Sequence, residues 1–132
     1  MSTKIVFVVE KTGTGFSAYA ENFEANPVGT TGKTFLELKN NIVDAMNTYR
    51  SHINGEEVTE DDISIELDLP QVFEYYDYIN ATALSKRIGI NQSLLSQYVN
   101  GNKKPSPKQL TRILAGIREV GKELSSFDLI IA

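Results

Sequence analysis

Residues 80–108 read NATALSKRIGINQSLLSQYVNGNKKPSPK, and the punctuation of this stretch decides the architecture of the second half of the chain. It predicts a short helix over 81–88, with Asn80 as side-chain cap for the first amides and Gly89 free to take the positive φ that ends a helix. Gly89-Ile90-Asn91 is then a three-residue turn. Asn91 caps a second helix over 92–99, which Asn100-Gly101 stops by the same chemistry. Two helices spaced this way around a tight turn make a helix-turn-helix. Leu84, Ile88, Ile90, Leu95 and Tyr98 fall where the pair must share a core, leaving Gln92, Ser93, Ser96 and Gln97 to face outward. Those four are uncharged donors and acceptors. Gln is a bidentate partner of adenine in the major groove, whereas a merely solvated helix would usually carry Lys and Glu there.

An ordinary helical hairpin with a polar outer face is the competing interpretation, and charge weighs against it. Between residues 80 and 118 the chain carries Lys86, Arg87, Lys103, Lys104, Lys108, Arg112 and Arg118 and no Asp or Glu. A one-signed run beside a polar helix is the electrostatic footprint of phosphate contact. The overall net charge of −4 hides this division. Residues 1–79 hold five basic and 14 acidic groups, a net of −9, while residues 80–132 hold eight basic and three acidic, a net of +5. The chain therefore divides into two modules, expected at 1–69 and 70–132, with opposite electrostatic tasks.

The residues ALSKRIGINQSLLSQYVNGNKKPS resemble the helix-turn-helix of the Cro/phage-repressor (XRE) class. The shared features are the Leu84 and Ile88 spacing, Gly89, the polar start of the second helix, the Asn100-Gly101 stop and the basic turn into Pro105. Two positions depart from the pattern. Ser85 stands where the class usually has Ala. Ala81 stands where many members place a phosphate-binding Gln, which passes that contact to the Asn80 cap and the helix N-terminal amides. The DNA-binding residues expected here are Asn80, Asn91, Gln92, Ser93, Ser96, Gln97, Asn100, Lys103, Lys104 and Lys108. Because one such motif covers only a few base pairs, useful affinity implies a homodimer or higher oligomer on a palindromic operator in double-stranded DNA.

Ahead of this motif, residues 4–10 (KIVFVVE) are β-branched enough for a buried strand. Residues 11–15 (KTGTG) supply a turn, and residues 16–21 (FSAYAE) alternate, so the three make a hairpin. A third strand is expected around 27–32. Thr34 with Glu37 three positions later reads as a capping box opening a helix whose apolar stripe is Phe35, Leu38, Ile42, Ala45, Met46, Tyr49 and Ile53. After the acidic loop 55–62 (GEEVTEDD), residues 63–69 (ISIELDL) alternate as a fourth strand. Asp68 and Pro70 start a helix with Val72, Phe73, Tyr76 and Ile79 as its buried side. Past the helix-turn-helix, Ser106 and Pro107 open a last helix with a stripe of Leu110, Ile113, Leu114, Ile117, Val120 and Leu124. Residues 127–131 (FDLII) are apolar enough to require a partner surface.

Several chemistries fail on spacing. Residues 13–18 fit a loose GxGxxA pattern, but they join two strands and no helix follows. Gly29-Thr30-Thr31-Gly32-Lys33-Thr34 precedes a helix as a phosphate-binding loop would, yet Pro27 stands where its first Gly belongs and removes an amide from the cradle. Glu10, Glu21 and Glu24 read as a solvated rim rather than a two-metal nuclease site. His52 is the only histidine and there is no cysteine, so no metal site, cofactor or Ser-His-Asp triad is expected. No apolar run approaches the roughly 18 residues that span a bilayer, and residues 1–13 turn to charge too soon for a signal peptide. A cytoplasmic protein with no membrane association and no enzymatic activity is expected.

The order strand, strand, strand, helix, strand, with KIVFVVEKTGTGFSAYAEN and TFLELKNNIVDAMNTY, resembles the HicB-type antitoxin module. That resemblance implies a truncated ribonuclease-H-like fold without its activity, a small HicA-type ribonuclease toxin as partner, and a C-terminal DNA-binding domain. The fold class expected is thus α+β: a βββαβ HicB-like module followed by an all-α, lambda-repressor-like helix-turn-helix domain. The function expected is a DNA-binding autorepressor of antitoxin type. The alternative is a stand-alone transcription regulator whose front module dimerises or senses a ligand, and a third is an adaptor that no longer reads DNA.

Overall fold

The computed structural model describes residues 4–132. The chain divides into two compact units, with the boundary between Leu67 and Asp68.

The first unit is a four-stranded sheet with a helix, in the order β1 (Ile5–Lys11), β2 (Phe16–Ala20), β3 (Gly29–Gly32), α1 (Phe35–His52) and β4 (Ile63–Glu66). The strands lie as β3-β2-β1-β4. β1 runs antiparallel to β2 with Phe7 opposite Ala20 and Val9 opposite Ala18, and parallel to β4 with Ile5 opposite Ile63. A parallel neighbour needs a crossover, and α1 supplies it. The α+β class and the βββαβ order expected from the sequence are both present.

Alternation decides which side of this sheet is covered. Phe7, Val9, Ala18 and Ala20 are buried together with Phe35, Leu38, Ile42 and Met46 of α1. Ala45 and Tyr49 are half-buried and Ile53 is exposed, so the apolar stripe of α1 fades at its C-terminal end. Thr34 accepts from the Glu37 amide at 3.1 Å and so caps α1. Gly32 owes its identity to packing, since a Cβ there would sit 2.6 Å from the Leu38 amide nitrogen. The acidic loop is anchored: Asn47 pairs with both backbone groups of the buried Val58, accepting from its amide at 2.7 Å and donating to its carbonyl at 3.0 Å. Beyond it, Glu60–Asp62 form one 3-10 turn.

The second unit is helical, with α2 (Leu69–Tyr75), α3 (Ala81–Ile88), α4 (Gln92–Val99) and α5 (Pro107–Ser126). Leu69 corrects one expectation from alternation. It is not the end of the fourth strand but the first residue of α2, because Asp68 and Gln71 close a reciprocal capping box at 2.8 Å in each direction. Strand β4 accordingly ends at Glu66. Leu69, Phe73, Leu84, Ile90, Leu95, Tyr98 and Ile113 form one core, with Val72, Ile79, Ala81, Ile88, Leu94, Val99 and Ile117 packed around it. The stripe expected along α5 is buried only in part. Ile113 is fully buried and Leu114, Ile117 and Val120 are half-buried, but Leu110 and everything from residue 121 onward is exposed. Residues 127–132 adopt no regular structure, and Ile130 and Ile131 are each 90% exposed.

Candidate nucleic-acid interface

Helix α3 is set by its two ends. Asn80 accepts from the Ala83 amide at 2.9 Å. At the other end Gly89 sits at φ 72°, where only a residue lacking Cβ is unstrained, and the Ile90 amide reaches back to the Ser85 carbonyl at 3.0 Å. The turn thereby delivers Ile90 into the core beside Leu84. Asn91 caps α4, accepting from the Ser93 and Leu94 amides at 2.9 and 3.3 Å. Helix α4 closes with Gly101 at φ 77°, the Asn102 amide bonding the Gln97 carbonyl at 2.9 Å and the Gly101 amide bonding Tyr98 at 3.2 Å. Helix α4 thus ends in a Schellman arrangement, while at α3 the Gly89 and Ile90 amides both reach the Ser85 carbonyl.

Close approach of the helices depends on small residues. Ser85 is 1% exposed, and its hydroxyl donates to the Thr82 carbonyl at 2.6 Å, so burial leaves no polar atom unsatisfied. Gly116 of α5 meets α3 so tightly that an added Cβ would lie 2.3 Å from Ile88 Cγ2. Gly116 leaves no local trace in the sequence, and Arg112 shows there only as one charge of the basic run. Arg112 donates to the Ile88 and Gly89 carbonyls at 2.7 and 3.2 Å, which satisfies the open end of α3.

With Leu95 and Tyr98 buried, α4 presents Gln92, Ser93, Ser96 and Gln97 to solvent, and Asn91, Gln92, Ser93 and Ser96 line a shallow concavity at its start. Asn100 donates weakly to Ser96 Oγ at 3.4 Å. Gln92 does not project freely, because its Nε2 donates to Thr82 Oγ1 at 3.3 Å. Lys103, Lys104 and Lys108 are exposed on the turn and first residues after α4.

The basic run is therefore not of one kind. Arg112 is engaged with backbone, and Arg87 is paired with Glu123 and, at 3.4 Å, with Glu119 of α5. The Glu123 hydrogen bond, with the charge of both carboxylates, raises the Arg87 pKa further. Lys103, Lys104 and Lys108, exposed just after α4, remain cations for a polyanion, as do the exposed Lys86 and Arg118 elsewhere in the run. Among the described residues no group of three or more His, Cys, Asp or Glu is placed to hold a metal ion, and no helix is long and apolar enough to cross a membrane.

Residues 79–120, covering α3, α4 and the greater part of α5, match a family model described as Helix-turn-helix. No curated protein matches the chain. The match and the geometry agree on the class: the second unit carries an XRE-type helix-turn-helix, the DNA-binding element of a transcription regulator.

Proposed function

We propose that the protein is a cytoplasmic autorepressor of HicB antitoxin type, whose second unit reads a palindromic operator and whose first unit binds a small basic ribonuclease toxin of the HicA type. The observation that carries the DNA half is the outer face of α4. Four uncharged hydrogen-bonding side chains, Gln92, Ser93, Ser96 and Gln97, stand exposed on a helix whose opposite side is anchored by Leu95 and Tyr98. Lys103, Lys104 and Lys108 supply phosphate contacts, and the Asn80, Asn91 and Asn100 caps fix the helix ends that approach the backbone. As a homodimer, the protein would set two such helices about 34 Å apart, one helical turn of DNA.

The antitoxin half rests on the βββαβ order of the first unit and on its charge. A unit carrying 11 acidic against five basic groups over residues 1–67 attracts a basic partner with a salt-sensitive association rate. No catalytic role or cofactor belongs to this reading.

Selection from a random duplex library by the purified full chain tests the first half. One enriched, two-fold symmetric sequence is expected, bound far more tightly than a scrambled duplex. Failure to enrich any sequence would leave an adaptor without DNA reading. The adjacent reading frame tests the second half. A small basic protein encoded there should bind the full chain, and its absence would favour the stand-alone regulator.

A further inference from the structure

The hydrogen bond between Gln92 and Thr82 crosses from the first residue of α4 to the first turn of α3, and it joins the two helices at the side where both are exposed. A carboxamide offers two N–H donors and one carbonyl acceptor. With one Nε2 proton given to Thr82 Oγ1, Gln92 keeps one N–H and its carbonyl. That is the pair that matches N7 and the N6 amino group of adenine. A first-turn Gln would otherwise rotate about three side-chain bonds and lose that freedom on binding. The Thr82 backbone is itself held, since its carbonyl accepts from Ser85 Oγ at 2.6 Å.

We propose that Thr82 is a positioning residue for base reading: its hydroxyl accepts from the Gln92 carboxamide and orients it toward a base edge. This rests on the DNA-reading function proposed above. It also changes the standing of Gln92, which spacing alone would leave free to turn toward a phosphate.

The test uses the full-length protein and the duplex it enriches from a random library, with a scrambled duplex as control. Thr82→Val keeps the shape and removes the hydroxyl, and Thr82→Ala serves as a second hydroxyl-free variant. Each should lose about three- to tenfold in affinity for the enriched duplex, the range expected of one neutral hydrogen bond, and nothing on the scrambled one. The salt slope should not change, because a neutral donor releases no counterion. Thr82→Ser should restore binding. In the double variant with Gln92→Ala, removing the hydroxyl should cost almost nothing further. An equal loss on both duplexes, or an undiminished loss in the Gln92→Ala background, overturns the positioning role. If wild-type protein discriminates and both hydroxyl-free variants discriminate as well, positioning alone fails. If wild-type protein enriches nothing, the DNA-reading function fails with it.

Discussion

Gln97 and Lys103 are exposed neighbours on one side of the motif, yet they should fail in different ways when replaced. Gln97 stands exposed one and a half turns into α4, and in the function proposed above it is the side chain that faces base edges. Gln97→Ala should cost about 1–3 kcal/mol on the selected operator and little on scrambled DNA. Lys103→Ala, like Lys104→Ala or Lys108→Ala, should weaken both duplexes alike and reduce the salt slope by about one unit per half-site. Titrating each variant on both duplexes at two salt concentrations separates the two outcomes; equal loss for Gln97→Ala would remove base reading from this face. Two glycines of α5 make a similar pair within the protein. Gly121 has open space around its missing Cβ, so Gly121→Ala should stabilise by about 1 kcal/mol through helix propensity. Gly116→Ala makes the same gain but drives a methyl to 2.3 Å from Ile88 Cγ2, a branch carbon that cannot swing away. Overpacking of about 1–3 kcal/mol should exceed the gain, and denaturant unfolding at matched protein concentration should show opposite signs for the two variants.

Helix α3 is eight residues long and borrows its stability from both ends and one neighbour. Arg112→Ala removes both bonds to the Ile88 and Gly89 carbonyls and should lower stability by about 1 kcal/mol. Since that guanidinium is spent on backbone rather than phosphate, the salt slope of DNA binding should stay at the wild-type value; a drop of a full unit would show that Arg112 leaves α3 to meet DNA. This element also marks how far sequence carries. The bounds of α3 and α4, their Asn caps and their Gly stops are legible because cap, helix and stop lie within a few residues of one another. Gly116 against Ile88, Arg112 against Gly89 and Arg87 against Glu123 join residues more than twenty positions apart and leave no periodic trace. The fourth strand shows the opposite failure. The alternation Ile63, Ile65, Leu67, Leu69 continues past the point where Asp68 begins a helix, so a local cap overrides the longer pattern. Asn47 likewise looks like a solvent-side helix residue until the loop that folds back to meet it is present.

At the scale of the molecule, the second unit leaves apolar surface that its own core does not use. Leu124 near the end of α5 and Phe127 and Leu129 beyond it are each more than 60% exposed, and Ile130 and Ile131 are 90% exposed, on a helix end and tail whose preceding half-helix is anchored by Ile113 and Gly116. Exposed apolar patches of this kind mark interaction sites, and a helix-turn-helix that reads one half-site requires a two-fold partner. A second copy meets both demands, because a two-fold axis brings the same segment of each chain together and buries both. Arg87, by pairing with Glu119 and Glu123, ties α3 to the half of α5 that leads into this segment. The expected outcome is a dimer in sedimentation for wild-type protein. Leu124→Asp combined with Phe127→Asp should sediment as a monomer with unchanged helical content. That variant should lose most of its operator affinity while keeping the same preference between operator and scrambled half-sites, since α4 is untouched. A double variant that remains dimeric would move the interface to a free edge of the sheet, at β3 or β4. Wild-type protein that is monomeric with and without DNA would sink the two-fold reading altogether.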